Sequence, residues 1–169
     1  MIARISGTII EQSDKELIIE VAGIGYAVAT PPAIFSVGQE VTLYTHLVIK
    51  DDAHELYGFQ TPEEKGLFKI LIGVSGVGPK TALQMLTLYT LPDLVRIIKT
   101  GDSKAIALVP GIGKKTSEKV VIDLKDKVEG FAMSDHRAST DLVEALLSLG
   151  YKDAQIRPVV GEIDATLPI

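Results

Sequence analysis

Over its first sixty or so residues the chain alternates short β-branched and aliphatic runs with Gly, Asp and Pro breaks. Ile2 to Ile10, Leu17 to Val21, Tyr26 to Thr30, Val41 to Ile49 and Glu55 to Phe59 read as five short strands. Gly7, near the middle of the first run, predicts a bulge or bend that lets one strand serve both sides of a small barrel. Five such strands suit an OB-type barrel, with an SH3-like barrel as the rival.

The period changes at Thr61. Thr61-Pro62-Glu63-Glu64 supplies an N-cap, a proline at the first helical position and a glutamate at the third, the elements of a capping box. Leu67, Leu71 and Val74, with Phe68 and Ile70 alongside, follow at helical spacing. Thr90-Leu91-Pro92-Asp93 opens another helix in the same way, Gly101 ends it, and helical sequence continues to about Val128. Residues 130–139 are small and polar and read as a linker. Beyond it Ser139-Thr140-Asp141 caps a helix with an apolar stripe of Leu142, Leu146 and Leu149, closed by Gly150, and Ala154 to Ile163 reads as a second helix. Asp164 to Ile169 resembles the opening of a helix that does not follow.

One repeat stands out. Gly76-Val77-Gly78-Pro79-Lys80-Thr81-Ala82 returns as Gly111-Ile112-Gly113-Lys114-Lys115-Thr116-Ser117, offset by 35 residues, each copy lying between two helices. Gly-hydrophobic-Gly makes a hairpin with no Cβ in the way. Its backbone N–H groups and those of the next helix's first turn then face outward at the positive end of the helix dipole, where a phosphate oxygen fits. Val77 or Ile112 would plug the gap between the two helices. Lys80, Lys114 and Lys115 fall at helix N-termini, where a cation opposes the dipole unless an anion binds there, and Lys119 follows Lys115 by one turn. The candidate DNA-contacting set is therefore Gly76, Gly78, Lys80, Thr81, Gly111, Gly113, Lys114, Lys115 and Lys119. Gly73 to Thr81 nearly spells a nucleotide-binding P-loop, but Pro79 intrudes and a helix, not a strand, precedes it.

Charge supports this placement only when taken by segment. The whole chain carries −5, which alone argues against a nucleic-acid binder. Residues 1–63 hold 3 basic and 9 acidic side chains, residues 64–127 hold 11 and 6, and residues 128–169 hold 3 and 7. The hairpins thus occupy a basic middle between acidic flanks. A hydrophobic fraction of 46% and a charged fraction of 23% belong to an ordinary globular protein. No apolar run reaches the ~18–20 residues of a membrane span, and Met1-Ile2-Ala3-Arg4 enters strand-like sequence with no signal peptide expected. The absence of cysteine excludes disulfides and cysteine-ligated metals and is compatible with a cytoplasmic location.

Catalytic constellations are poorly represented. His46, His54 and His136 show no metal-ligand spacing and read as surface or loop residues. The alternative reading is a helix-hairpin-helix repair enzyme, a glycosylase or nuclease subunit. A glycosylase needs a catalytic Asp in a loop after the hairpin and a base-flipping pocket. Asp123 and Asp126 fall instead in the helix after Gly113, and with no Trp and 5% aromatics a base-stacking pocket is thinly supplied. No catalytic residue, cofactor or metal is expected.

Taken together, Met1-Ile2-Ala3-Arg4-Ile5-Ser6-Gly7, Gly23-Ile24-Gly25-Tyr26, Asp51-Asp52-Ala53-His54-Glu55-Leu56-Tyr57-Gly58-Phe59 and both hairpins resemble the RuvA family of bacterial Holliday-junction proteins. The resemblance covers the whole chain. It implies an α+β multidomain protein: an OB-type barrel over residues 1–62, a tandem helix-hairpin-helix domain over 63–129, a flexible linker over 130–139 and a small helical, UBA-like domain over 140–169 that lacks its last helix. It implies sequence-independent binding of four-way junctions in recombination and repair. It further implies a homotetramer or an octamer of two tetramers, the RuvB ATPase as motor and the RuvC endonuclease as a further partner. Asp51 and Asp52, which by residue type alone read as soluble turn residues, match the family's acidic pin. Leu142, Leu146, Leu149 and Tyr151 are the residues expected to meet RuvB, the alternative for the leucine stripe being the small domain's own core.

Overall fold

The computed structural model describes residues 1–13, 16–31, 35–50 and 53–131. Five strands, β1 (Arg4–Gln12), β2 (Leu17–Val21), β3 (Ile24–Val28), β4 (Glu40–Ile49) and β5 (His54–Phe59), form one antiparallel sheet in the order β3-β2-β1-β4-β5. Alternation along β1, β2 and β4 sends Ile5, Ile9, Leu17, Ile19, Val41 and Leu43 to one side, where they join Val28 and Leu56 in the barrel core. The sheet curls until its two edge strands meet. Ala29, just past β3, donates to Leu56 O at 2.9 Å and accepts from the Gly58 amide at 2.8 Å, a parallel bridge to Tyr57. That parallel β3–β5 closure selects the OB-type barrel over its SH3-like rival.

β1 does serve both sides, as Gly7 suggested. Its first half pairs with β4 from Arg4 to Thr8, and its second half with β2 from Thr8 to Gln12. The bulge itself lies between Ile9 and Glu11, not at Gly7. Glycine is needed at position 7 for a different reason. A Cβ there would run into the Glu20 carbonyl of β2 where the two strands cross most closely.

The helices follow their caps. In α1 (Pro62–Ile72) the Thr61 hydroxyl accepts the Glu64 amide at 3.1 Å, and the Glu64 carboxylate reaches back to the Gln60 amide at 3.0 Å. α2 (Pro79–Leu88) and α5 (Lys114–Leu124) start on glycines, with no side chain capping them. α3 (Leu91–Thr100) starts at Thr90 and ends on Gly101, whose φ of 78° is the left-handed conformation that closes a helix. α4 (Ser103–Ile106) is a single turn capped by Asp102. Asp126 lies past the end of α5, in the turn that follows, so only Asp123 is helical. A 3-10 turn, Glu129–Phe131, carries packed structure two residues into the stretch expected to be linker, and the Phe131 ring lies against Gly66 of α1.

The helices have a second core, to which the barrel contributes Tyr57 and Phe59. Tyr57 and Phe59 of β5 pack on Phe68 of α1 with ring centroids 5.0 and 4.9 Å away, and His46 of β4 meets the same ring edge-on at 5.8 Å. His46 is therefore not the surface residue expected. It is half-buried, its Nδ1 is enclosed without a hydrogen-bond partner among the described residues, and burial followed by the Lys69 and Lys65 charges holds its pKa below the usual 6.5.

A folded-state pKa below the unfolded one means that the unfolded chain takes up the proton more readily. The stability involved is present above pH 6.5 and is lost as pH falls below it. The urea midpoint should drop between pH 7.5 and pH 5, above the range where carboxylates titrate. His46→Gln, which carries no titrating ring, should show a smaller drop over the same interval; an equal drop in both proteins would remove His46 as the cause.

Candidate nucleic-acid interface

Two helical hairpins form the candidate site. α1 and α2 flank the first, α4 and α5 the second, and α3 connects the pair. Val77 and Ile112, the middle residues of the two Gly-x-Gly turns, are 4% and 6% exposed, which makes them plugs between helices as the repeat predicts. Their amides donate alike, Val77 to Val74 O and Ile112 to Val109 O, both at 3.0 Å.

The glycines fall into two classes with matching geometry. Gly76 and Gly111 have φ of 94° and 86°, the left-handed region where a side chain is strained. Gly78 and Gly113 have φ of −83° and −87° with ψ of 168° and 170°, an extended conformation that any residue can adopt. A Cβ at Gly78 or Gly113 would meet nothing. Nothing within the fold requires glycine at these two positions, and its absence of a side chain leaves open space in front of the first turn of α2 and α5.

That space is lined by donors. The amides of Gly78, Lys80 and Thr81, and of Gly113, Lys114, Lys115 and Thr116, donate to no acceptor among the described residues. Pro79 has no N–H, so the first site offers fewer donors than the second. The side chains of Lys114, Lys115 and Lys119 are exposed and pair with no carboxylate among the described residues. At both starts the dipole ends and ammonium groups add, giving a site suited to an oxyanion.

The two sites are neighbours. Gly76 of the first hairpin faces Thr116 of α5, and Gly111 of the second faces Thr81 of α2. Both pairs are related by the same 35-residue offset, so the contact is reciprocal and the hairpins sit about a local pseudo-two-fold axis. Thr81 and Thr116 are thereby part of the seam between the two sites, a role the sequence pattern did not suggest for either.

Lys80 differs from its counterparts. Its Nζ lies 3.9 Å from Glu55 Oε1, on β5 of the barrel. The other oxygen of Glu55 accepts Lys50 Nζ at 2.7 Å and the Tyr57 hydroxyl at 3.0 Å. Those two hydrogen bonds hold the Glu55 carboxyl below its ordinary pKa, and burial with the bond to Glu55 pushes the Tyr57 phenol well up. Glu55 is a functional candidate that sequence reasoning missed. Its partners come from a strand end and from the first turn of a distant helix, which no local pattern links.

Asp51 and Asp52, and Leu142, Leu146, Leu149 and Tyr151, lie outside the described residues. The hairpin bearing the two aspartates is defined at its base, where the Lys50 amide donates to Ala53 O at 2.8 Å and Ile49 pairs with His54. Among the described residues no group of three or more His, Asp or Glu is placed to hold a metal ion, and no helix is long and apolar enough to cross a membrane.

Comparison with protein-family models matches residues 1–58 to the RuvA N terminal domain and residues 68–126 to a SAM-like helix-hairpin-helix tandem. Residues 137–169 match the RuvA C-terminal domain. The Holliday junction branch migration complex subunit RuvA of Vibrio vulnificus is 37% identical over 185 residues, covering 96% of this chain and 91% of its own length. Proteins of the same name from Pseudomonas putida and Methylibium petroleiphilum are 38% and 37% identical. They cover 96% and 100% of this chain, and 89% and 93% of their own lengths.

The two glycine classes can be separated by experiment. Serine at position 78 or 113 suits the backbone and caps the first turn with its own hydroxyl. Gly113→Ser should therefore unfold at the same temperature as the parent or slightly higher, yet bind DNA several-fold more weakly because the cap occupies amides meant for phosphate. Gly111→Ala should cost about 1–2 kcal/mol of stability from the left-handed backbone alone. Unchanged DNA affinity in a well-folded Gly113→Ser protein would remove these amides from the interface.

Proposed function

The chain belongs to the RuvA family of Holliday junction branch migration complex subunits, and on that premise we propose that it grips the phosphate backbones of a four-way junction through its paired hairpins and does no chemistry of its own. The reciprocal seating of the two hairpins carries this reading. It sets the unbonded amides and the lysines of the two helix starts side by side, so that one duplex arm can meet both. Backbone amides and ammonium groups contact phosphate without reading bases, so binding is governed by DNA shape and not by sequence.

The same proposal divides the chain by task. Residues 1–62 form the barrel that faces the junction centre, residues 63–131 hold the arms, the rest of the stretch to residue 139 acts as a tether, and residues 140–169 dock the RuvB ATPase through Leu142, Leu146, Leu149 and Tyr151. Assembly as a homotetramer, or as an octamer of two tetramers, would surround the crossover, with RuvC as a further partner in the cytoplasm. A helix-hairpin-helix repair enzyme is the reading to be excluded. Labelled junction incubated with the purified protein and no ATPase should show neither cleavage nor base release.

Binding should depend steeply on salt. Each phosphate neutralised on a duplex arm contributes about −0.9 to the slope of log affinity against log salt. Lys115→Ala and Lys119→Ala should each flatten that slope by up to about one unit and weaken all sequences alike in a mobility-shift comparison of four-way, forked and linear DNA. A mutant that relaxed preference at particular base positions would contradict phosphate recognition.

Asp51 and Asp52 call for the opposite effect. Carboxylates on a DNA-facing surface repel phosphates over roughly a Debye length, about 8 Å at physiological salt. Placed around the crossover they would keep backbones off the centre, guide separated strands into adjacent arms and discourage continuous duplex from lying across the site. Asp51→Asn with Asp52→Asn should therefore strengthen binding to linear duplex, most clearly at low salt, and narrow the preference for junctions. A folded, normally assembled double mutant with unchanged duplex affinity would end the idea.

A further inference from the structure

The two hairpins repeat each other in backbone but not in charge. In the second, Lys114, Lys115 and Lys119 face solvent with no carboxylate partner among the described residues, whereas in the first Lys80 points toward Glu55 of the barrel. We propose that Glu55 is a specificity-determining residue that weakens phosphate binding at the first hairpin, so that linear duplex is held less firmly there and tight attachment depends on the further contacts that a junction makes. The inference rests on the phosphate reading of the hairpins.

The geometry supports a role in tuning and argues against one in holding the fold. The Lys80 side chain is 81% exposed and its ion pair is long, at 3.9 Å, so the pair adds little stability. Glu55 does not depend on Lys80 for its position. Oε2 is fixed by Lys50 and the Tyr57 hydroxyl, and Oε1 is left to face Lys80. A carboxylate held in this way is a standing competitor for the ammonium group. It offsets part of the positive potential in front of the Gly78, Lys80 and Thr81 amides, which already number fewer than those at the second hairpin because of Pro79. Lys50 closes the base of the turn that carries Asp51 and Asp52. The same carboxylate therefore links the first phosphate site to the loop of the proposed pin.

Glu55→Gln is the informative change. Its carbonyl oxygen can still accept from Lys50 and Tyr57, and its amide then faces Lys80 with a donor in place of a negative charge. Affinities of the full chain for linear duplex and for a four-way junction would be measured by fluorescence anisotropy over a salt series, for Glu55→Gln, Lys80→Ala and the double mutant. Thermal midpoints would check the fold. Glu55→Gln should bind linear duplex roughly two- to five-fold more tightly at low salt, with a steeper salt slope, and should gain less on the junction. The gain should vanish in the Lys80→Ala background. Unchanged or weaker duplex binding by a folded Glu55→Gln protein, or an equal gain without Lys80, overturns the proposal. If Lys80→Ala alone leaves affinity and salt slope untouched, the phosphate reading of the first hairpin fails as well. If Lys80→Ala weakens binding while Glu55→Gln is inert, only the role of Glu55 fails.

Discussion

The position of everything that faces outward depends on one buried ring. Phe68 of α1 is fully enclosed and touches Tyr57, Phe59 and His46, residues from both strands of the barrel's last hairpin. Truncating such a side chain typically costs about 3–5 kcal/mol, a large part of a small domain's stability. Its geometric effect matters as much. With Phe68 seated, α1 cannot swing on the barrel, so the hairpin at its C-terminal end is fixed relative to β5. Through the Gly76–Thr116 and Gly111–Thr81 contacts, the second hairpin is fixed relative to the first. Barrel and hairpins thus pack as one continuous surface, which suits recognition of a branched DNA shape.

That packing gives electrostatics a defined geometry to work on. A chain with net charge −5 should be repelled by DNA on average, yet its basic side chains are concentrated in the segment that forms the hairpins. Affinity and selectivity are then assigned to different parts. Amides and lysines at two helix starts attract any phosphate. On the proposed reading, acidic groups on the barrel side, Glu55 among the described residues, would oppose phosphates that arrive without the right branch geometry. An evenly basic surface would bind more tightly and discriminate less.

Much of this was legible in the sequence because it is local. Strand periodicity placed the five strands to within two residues at their ends, and Thr61, Thr90 and Gly101 cap helices as their residue types imply. The repeated Gly-x-Gly found both hairpins, because the left-handed φ of Gly76 and Gly111 selects glycine, whereas nothing within the fold requires it at Gly78 and Gly113. What escaped was tertiary. Whether a strand histidine faces solvent or a neighbouring helix depends on where α1 docks, so His46 read as a surface residue. Gly7 was singled out correctly but for the wrong reason. Close approach of β2 and a bulge both select glycine, and the pattern along one strand cannot separate them. The Glu55–Lys80 contact joins two elements whose separation in sequence carries no period at all.

Pseudo-symmetry sharpens this last point. Two hairpins built from one repeat should be interchangeable, and in backbone geometry they are, since equivalent glycines differ by only a few degrees in φ. Their surroundings are not interchangeable, because only the first abuts the barrel. Pro79 removes one donor there and Glu55 offsets one cation, while the second hairpin keeps all its amides and adds Lys114, Lys115 and Lys119. A symmetric pair of equally strong sites would hold any stretch of duplex. A strong site beside a weaker one, as proposed, would make firm attachment depend on what else the DNA touches, and the barrel that the first hairpin abuts would be the part to supply that contact.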